Sequence, residues 1–390
     1  MKLGVIRFTD KYLGTPLRLL LYYYQKLRDL FPQRESREPY RRILVVKFWG
    51  LGNIIRVSPT LRALRQRFPE AKITFITLEQ NRGIYEGSGL FDEAVYLELK
   101  SVGVFLWDVF RKYFSLRRER FDLVLNLEPL ANFAEIVSFY VAVGVRVGFS
   151  LPGRRSLFTI KIPFREDEHI SRTFYRILYP FGVRPPQDLT PEAVPVNDED
   201  WRYIEELLSA RGIEGGRPLI AFNVNASEVA EARRWPGDRF AELASRLQEE
   251  LGADLIFIGA PEEAVRVEEV VKKVKRGLNL AGLTTLKQAA AALKKAGLFI
   301  TNDSGPMHLA IAMGTPTVAL FGPESPVRYG PLSANHRAIY KGYNCSPCIN
   351  FAQAKKINCK FEAKCIKDIT VEEVFQAAVS LYRRKAPNRA

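Results

Sequence analysis

The sequence predicts an α/β protein of two doubly wound halves, each a parallel sheet wrapped by helices. Three observations carry that expectation. Apolar strand-like runs alternate with helical stretches from Arg42 onward; the pattern breaks at 183–195, where four prolines fall with little periodicity; and it restarts at Leu219. In the first half, strands are expected at 43–48, 72–77, 94–97, 123–127 and 145–149, with helices over 58–68 and 171–181. In the second, strands are expected at 219–223, 255–258, 278–281, 297–300 and 317–321, with helices centred on Ala241, Val267, Ala290 and Leu309. The expected domains are an N-terminal extension (1–40), a first half (41–182), a linker (183–197), a second half (198–370) and a C-terminal helix and tail (371–390). Two such halves would face each other across a cleft at the strands' carboxyl ends, where these sheets bind ligands.

Composition narrows the class. A chain of 390 residues with 47% hydrophobic and 26% charged residues reads as an ordinary globular protein. The outlier is a net charge of +15, which implies an anionic partner. Residues 1–42 alone hold ten Lys/Arg against four Asp/Glu, and further basic clusters include Arg117 with Arg118 and Arg154 with Arg155. Neither a zinc-finger spacing nor an RNA-binding aromatic signature accompanies them, so nucleic acid is not an expected partner. The apolar run 19–24 is too short for a signal peptide, and nothing approaches the ~20 apolar residues of a membrane span. Residues 16–31 mix leucines and tyrosines with Arg18, Lys26 and Arg28. That pattern suits either a helix lying in a membrane interface or one packed on the protein itself.

The stretch Thr301-Asn302-Asp303-Ser304-Gly305-Pro306-Met307-His308 reads as a strand end, a tight loop and a helix start. Backbone N–H groups at such a helix start, with the helix dipole behind them, favour a phosphate. Ser304 and His308 can each donate a hydrogen bond to the same anion. Alternatively, Asp303 or Ser304 simply caps the helix.

Three motifs then carry a resemblance. They are Ile43-Leu44-Val45-Val46-Lys47 through Gly50-Leu51-Gly52-Asn53 and Ser58-Pro59-Thr60-Leu61; Ala226-Ser227, Arg233-Arg234-Trp235-Pro236 and Phe240-Ala241-Glu242-Leu243-Ala244; and 303–308 continuing through Gly314-Thr315-Pro316 to Phe321-Gly322-Pro323. Over about residues 43–380 the chain resembles the lipopolysaccharide heptosyltransferases, glycosyltransferase family 9. The resemblance implies the GT-B fold and an inverting, metal-independent transfer of a heptose or related sugar. The donor would be a nucleotide-diphosphate sugar, ADP-heptose by preference, and the acceptor a lipopolysaccharide core or similar anionic glycolipid. It places the donor in the second half, at Ser227, Asp303, Ser304, Gly305, Pro306 and His308, with Arg233 where the family usually has a lysine near the phosphates. Glu262 and Glu263 could reach a ribose hydroxyl. The acceptor falls in the first half, with Gly52, Asn53, Arg117, Arg118, Arg154 and Arg155 as candidates. The setting it implies is a monomer, peripheral at the cytoplasmic face of the inner membrane.

Two positions depart from the family pattern. Where it commonly has an aspartate as catalytic base, this chain has Asn53, an amide with no useful basicity. Either another carboxylate serves (Glu79, Asp92 or Glu128), or the protein binds sugar nucleotide or glycolipid without transferring. An epimerase on the same fold is a further reading. The usual His-Pro-Gly before Ala226 reads Asn223-Val224-Asn225. Finally, Cys345, Cys348, Cys359 and Cys365 follow the spacing C-x2-C-x10-C-x5-C, which suggests either a structural zinc site or four unligated thiols in a lid near the donor, with no cofactor expected for catalysis.

Overall fold

The computed structural model describes residues 8–30, 38–98, 101–226, 228–349 and 359–385. The chain divides into two compact units, one of Met1–Glu166 with Ile170–Gln187, the other of Asp167–His169 with Asp188–Ala390.

The first unit is a six-stranded sheet in the order β3-β2-β1-β4-β5-β6. Its strands are β1 (Arg42–Val46), β2 (Lys72–Leu78), β3 (Glu93–Leu97), β4 (Phe121–Asn126), β5 (Ala142–Ser150) and β6 (Ile160–Pro163). All neighbours pair in parallel. Helices Leu51–Arg67, Val102–Arg118 and Asn132–Val141 make crossovers. β1 is buried along all but its first residue, as a strand covered on both faces must be. Its apolar run packs with β2, β4 and the helix Asn132–Val141 in one core cluster.

The second unit repeats the plan in the order β12-β11-β10-β7-β8-β9. Its strands are β7 (Leu219–Asn223), β8 (Asp254–Phe257), β9 (Gly277–Asn279), β10 (Leu298–Asn302), β11 (Thr317–Phe321) and β12 (His336–Tyr340), again all parallel. Helices Gly237–Leu251 and Val371–Lys385 cover one face, where Trp235, Phe240 and Leu243 meet Ile366 and Val374. Each sheet reverses direction once, between β1 and β4 and between β7 and β10, and such reversals are where α/β sheets bind ligands.

Several expectations are corrected. The helix expected from residue 58 begins at Leu51, because Gly50, at φ +84°, turns the chain directly off β1 and Pro59 is accommodated inside the helix. The expected helix at 171–181 is α-helical only over Ile170–Tyr175, then tightens to a 3₁₀ turn that contains Pro180. The edge strands β6 and β12 were not expected.

The N-terminal helix Thr15–Arg28 packs on its own unit, with Leu21 set against Ile136, Phe139 and Leu157. Asp10 reaches the start of Asn132–Val141 and accepts from the N–H groups of Asn132 (3.1 Å) and Phe133 (2.8 Å). It thereby caps a helix whose own N-cap residue, Ala131, has no side-chain cap. No helix among the described residues is long and apolar enough to cross a membrane.

Candidate active site

The switch point of the second unit gathers the strand ends of β7 and β10. Ser304 occupies the N-cap position of the helix Gly305–Ala312, yet its side chain makes no capping bond. The hydroxyl accepts from Asn223 Nδ2 at 2.9 Å and lies 3.3 Å from Thr301 Oγ1. Ser304 capping is therefore excluded. The amides of the helix's first turn have no intrahelical partner, and Ser304, Gly305 and Pro306 are half-buried, open to a ligand. His308 follows on the first turn and is buried.

Beside this helix start lies Arg233, at the end of the 3₁₀ turn Glu228–Arg233. Its guanidinium is buried between two carboxylates, with Nη1 3.5 Å from Asp303 Oδ2 and Nη2 3.2 Å from Glu324 Oε2. Arg233 Nε and Asp303 Oδ2 are buried without a hydrogen-bond partner. Two residues on, Trp235 anchors the turn: it donates its backbone N–H to Asn302 Oδ1 (2.9 Å) and its indole N–H to the Ile369 carbonyl (2.9 Å). A buried, fork-shaped cation next to an uncapped helix start suits a diphosphate.

A second group sits at the end of β8. A Cβ on Gly259 would fall 3.2 Å from both Asn225 Nδ2 and Glu263 Oε2, so these side chains converge there. Both amide atoms of buried Asn225 lack a hydrogen-bond partner. Glu263 accepts from the Ala260 N–H at 2.8 Å, and burial, with neighbouring Glu262 adding to it, lifts its carboxyl above the ordinary range. Glu262 is exposed. Ser227 lies outside the described residues. Neither Asn225 nor Glu324 was anticipated as a site residue. Asn225 stands in the altered loop before Ala226, and Glu324 directly follows the Phe321-Gly322-Pro323 run, so the motif flanks carried the signal.

At the switch point of the first unit, Gly52 and Asn53 lie on the first turn of Leu51–Arg67, and Asn53 Oδ1 accepts from Arg56 Nη1 at 3.1 Å. Lys47 and Glu128, at the ends of β1 and β4, form a buried ion pair of 2.6 Å. Glu128 Oε1 also accepts the N–H groups of Phe48 and Trp49, each at 2.7 Å. These bonds all converge on Oε1.

The other two carboxylates are differently placed. Glu79 is held by Arg82 through both oxygens, at 2.5 and 2.9 Å. Asp92 precedes β3, at the opposite end of the sheet, where it binds Arg65 and the Ile73 N–H. Among the basic candidates, Arg154 is engaged internally by the Pro129 and Leu130 carbonyls, Asn132 and Glu135. Arg155 donates to the Tyr23 hydroxyl, Arg117 to the Tyr140 carbonyl (2.8 Å), and Arg118 is exposed.

The zinc expectation is not supported. Among the described residues no group of three or more His, Cys, Asp or Glu side chains is arranged to hold a metal ion. All four cysteines are free thiols, with Cys345 exposed and Cys365 buried. Burial pushes the Cys365 thiol up to about 11, with the other three cysteines adding to the shift. Four cysteines in metal-like spacing thus do not converge as ligands, and residues 350–358 between them lie outside the described residues.

The profile described as Glycosyltransferase family 9 (heptosyltransferase) matches residues 109–358. The chain belongs to that family. Lipooligosaccharide heptosyltransferase 2 of Haemophilus influenzae is 30% identical over 301 residues, covering 75% of this chain and 86% of the relative. Lipopolysaccharide heptosyltransferase 2 of Escherichia coli K12 is 27% identical over 310 residues, covering 76% and 87%. A crystal structure of a family 9 glycosyl transferase from Veillonella parvula superposes with a TM-score of 0.75 at 27% identity, covering 88% of this chain and 98% of that one. This family 9 member is a glycosyltransferase with a GT-B-like fold, and the epimerase and non-catalytic readings are not favoured.

Proposed function

We propose that the protein transfers a heptose from a nucleotide-diphosphate donor, ADP-heptose by preference, to the core of a lipopolysaccharide or similar glycolipid. The observation that carries the reading is the uncapped helix start at Ser304–Gly305 with Arg233 buried beside it. The second unit takes the donor: the diphosphate faces the first-turn amides and Arg233, while Asn225 and Glu263 offer hydrogen bonds to the nucleoside. The first unit takes the acceptor near Gly52, Asn53 and Glu128.

In the inverting step, an acceptor hydroxyl oxygen attacks the anomeric carbon as the bond from that carbon to the diphosphate oxygen breaks. The diphosphate leaves with the bonding electrons and is met by fixed N–H dipoles and a guanidinium, so the step needs no metal. The hydroxyl proton goes to a carboxylate, for which Glu128 is the best placed of the three weighed. It lies at the switch point, whereas Asp92 is at the wrong end of its sheet and Glu79 is clamped by Arg82. Asn53 orients the hydroxyl. A lipid-linked acceptor sets the work at a membrane surface, and we place a monomer at the cytoplasmic face of the inner membrane, where a charged nucleotide sugar is available.

The test combines calorimetry of ADP-heptose against UDP-, GDP- and dTDP-linked sugars with mass spectrometry of heptose-deficient core acceptor after incubation. One added heptose from ADP-heptose is expected. Absence of both donor binding and product would sink the reading, while transfer from another donor would change only the sugar.

A further inference from the structure

We infer that the helices Thr15–Arg28 and Val102–Arg118 form one composite surface that docks on an anionic lipid bilayer. This deepens the membrane part of the reading above: it gives the docking a place in the fold and extends it beyond the N-terminal extension.

On Thr15–Arg28 the side chains Leu17, Leu20, Tyr24 and Leu27 recur at spacings of three and four, which puts them on one face. On Val102–Arg118, Trp107, Phe110 and Phe114 do the same. All seven are between 40% and 66% exposed. Large apolar groups in such number on two helices are unusual on a surface meant for water alone.

The two stripes are joined by contact. Trp107 lies 6.1 Å from Phe110, Phe110 lies 5.0 Å from Phe114, and Phe114 lies 5.2 Å from Tyr113. Tyr113 meets Tyr140 at 5.7 Å, Tyr140 meets Phe139 at 5.7 Å, and Phe139 meets Tyr24 at 6.4 Å. A run of rings therefore ties the two helices together through Asn132–Val141, passing beneath the surface at buried Phe139.

Cations border this run. Lys26, Arg111 and Arg118 are exposed, and Arg155 stands 5.3 Å over the ring of Tyr23. Aromatic rings and leucines beside arginines and lysines match the boundary between acyl chains and anionic headgroups, where rings seat at the interface and cations meet phosphate. A second copy of the chain fits less well, because a two-fold pairing of this face would bring like charges together.

Flotation with vesicles of phosphatidylcholine alone, or with added phosphatidylglycerol, tests the inference without donor or glycolipid. Binding to the phosphatidylglycerol vesicles is expected, weakening as salt rises. The triple variant Trp107→Ser, Phe110→Ser, Phe114→Ser should lose about tenfold or more in affinity. So, independently, should Leu20→Ser with Leu27→Ser, and both should keep the parent's circular dichroism and melting temperature because the changed residues are exposed.

The inference is overturned if the parent does not bind, or if both variants bind as it does. It is equally overturned if sedimentation shows a dimer that the variants dissociate while vesicle binding is unchanged. Transfer to a water-soluble core fragment in the same samples reports on the chemistry separately, and it should persist in every variant.

Discussion

At position 53 the chain carries an amide, which has no useful basicity, so the proposed transfer needs its base elsewhere. Asn53 is already oriented by Arg56, and Glu128 is fixed by Lys47 and two backbone amides. Removing the Glu128 charge by Glu128→Gln should lower kcat by about 10²–10⁴. Donor affinity should hold. Lys47→Met separates this role from loop support, since it breaks the same buried pair and should cost about 3–5 kcal/mol of stability. If Glu128 merely braces the loop, the two variants will share one kinetic defect. Across the fold's other half, Arg233→Ala removes the buried cation and leaves Asp303 and Glu324 without their shared partner. Its kcat should fall by about 10²–10³, the scale of losing one transition-state donor. An undiminished kcat would remove Arg233 from the leaving-group role.

The elements were the more legible level in the sequence, and the misses have physical reasons. Ten strands read from buried apolar runs lie within observed strands or within a residue or two of them, because strands covered on both faces must be nearly continuously apolar. β6 and β12 escaped because neither carries a continuous apolar run: Ile160-Lys161-Ile162 alternates in burial, and β12 opens with His336 and Arg337 before Ala338 and Ile339. The turn at 303–308 into a helix start was legible because Asp303-Ser304-Gly305-Pro306 follows the buried strand β10 directly. Asn225 and Glu324 were not, because each becomes a site residue only when the ends of β7, β8 and β11 are brought together. The cysteines show the limit of spacing alone: among the described residues no three such side chains are arranged to hold a metal ion.

Two measurements follow at this scale. Iodoacetamide at pH 8 should label exposed Cys345 quickly and buried Cys365 last. With a thiol near 11, Cys365 is thiolate to only about one part in a thousand at that pH, and the thiolate is the reactive form. Comparable early labelling of both would show that the Gly322–Cys365 packing is not held in solution. Likewise Asp10→Ala, which uncaps Asn132–Val141, should lower stability by about 1 kcal/mol in urea.

For the molecule as a whole, the decisive asymmetry is charge. Residues 1–187 hold 31 Lys/Arg against 18 Asp/Glu, a net +13, whereas residues 188–390 hold 27 against 25, a net +2. The two six-stranded units share one topology, so this difference is not a consequence of fold. It fits the proposed division of labour, in which the second unit would bind a diphosphate through a few buried, oriented groups and the first would meet a larger anionic surface through many exposed ones. The two modes respond differently to ionic strength. At about 0.1 M salt the screening length is ~10 Å, which mutes exposed charges and leaves buried contacts such as Arg233 with Asp303 largely intact. Raising salt from about 0.05 M to about 0.5 M should therefore raise the KM for a phosphorylated core acceptor several-fold, while the KM for the nucleotide sugar changes by less than about twofold. Steady-state kinetics with each substrate varied in turn measures both. An acceptor KM that changes by less than about twofold over the same range would mean that the positive charge of residues 1–187 does not act on the acceptor.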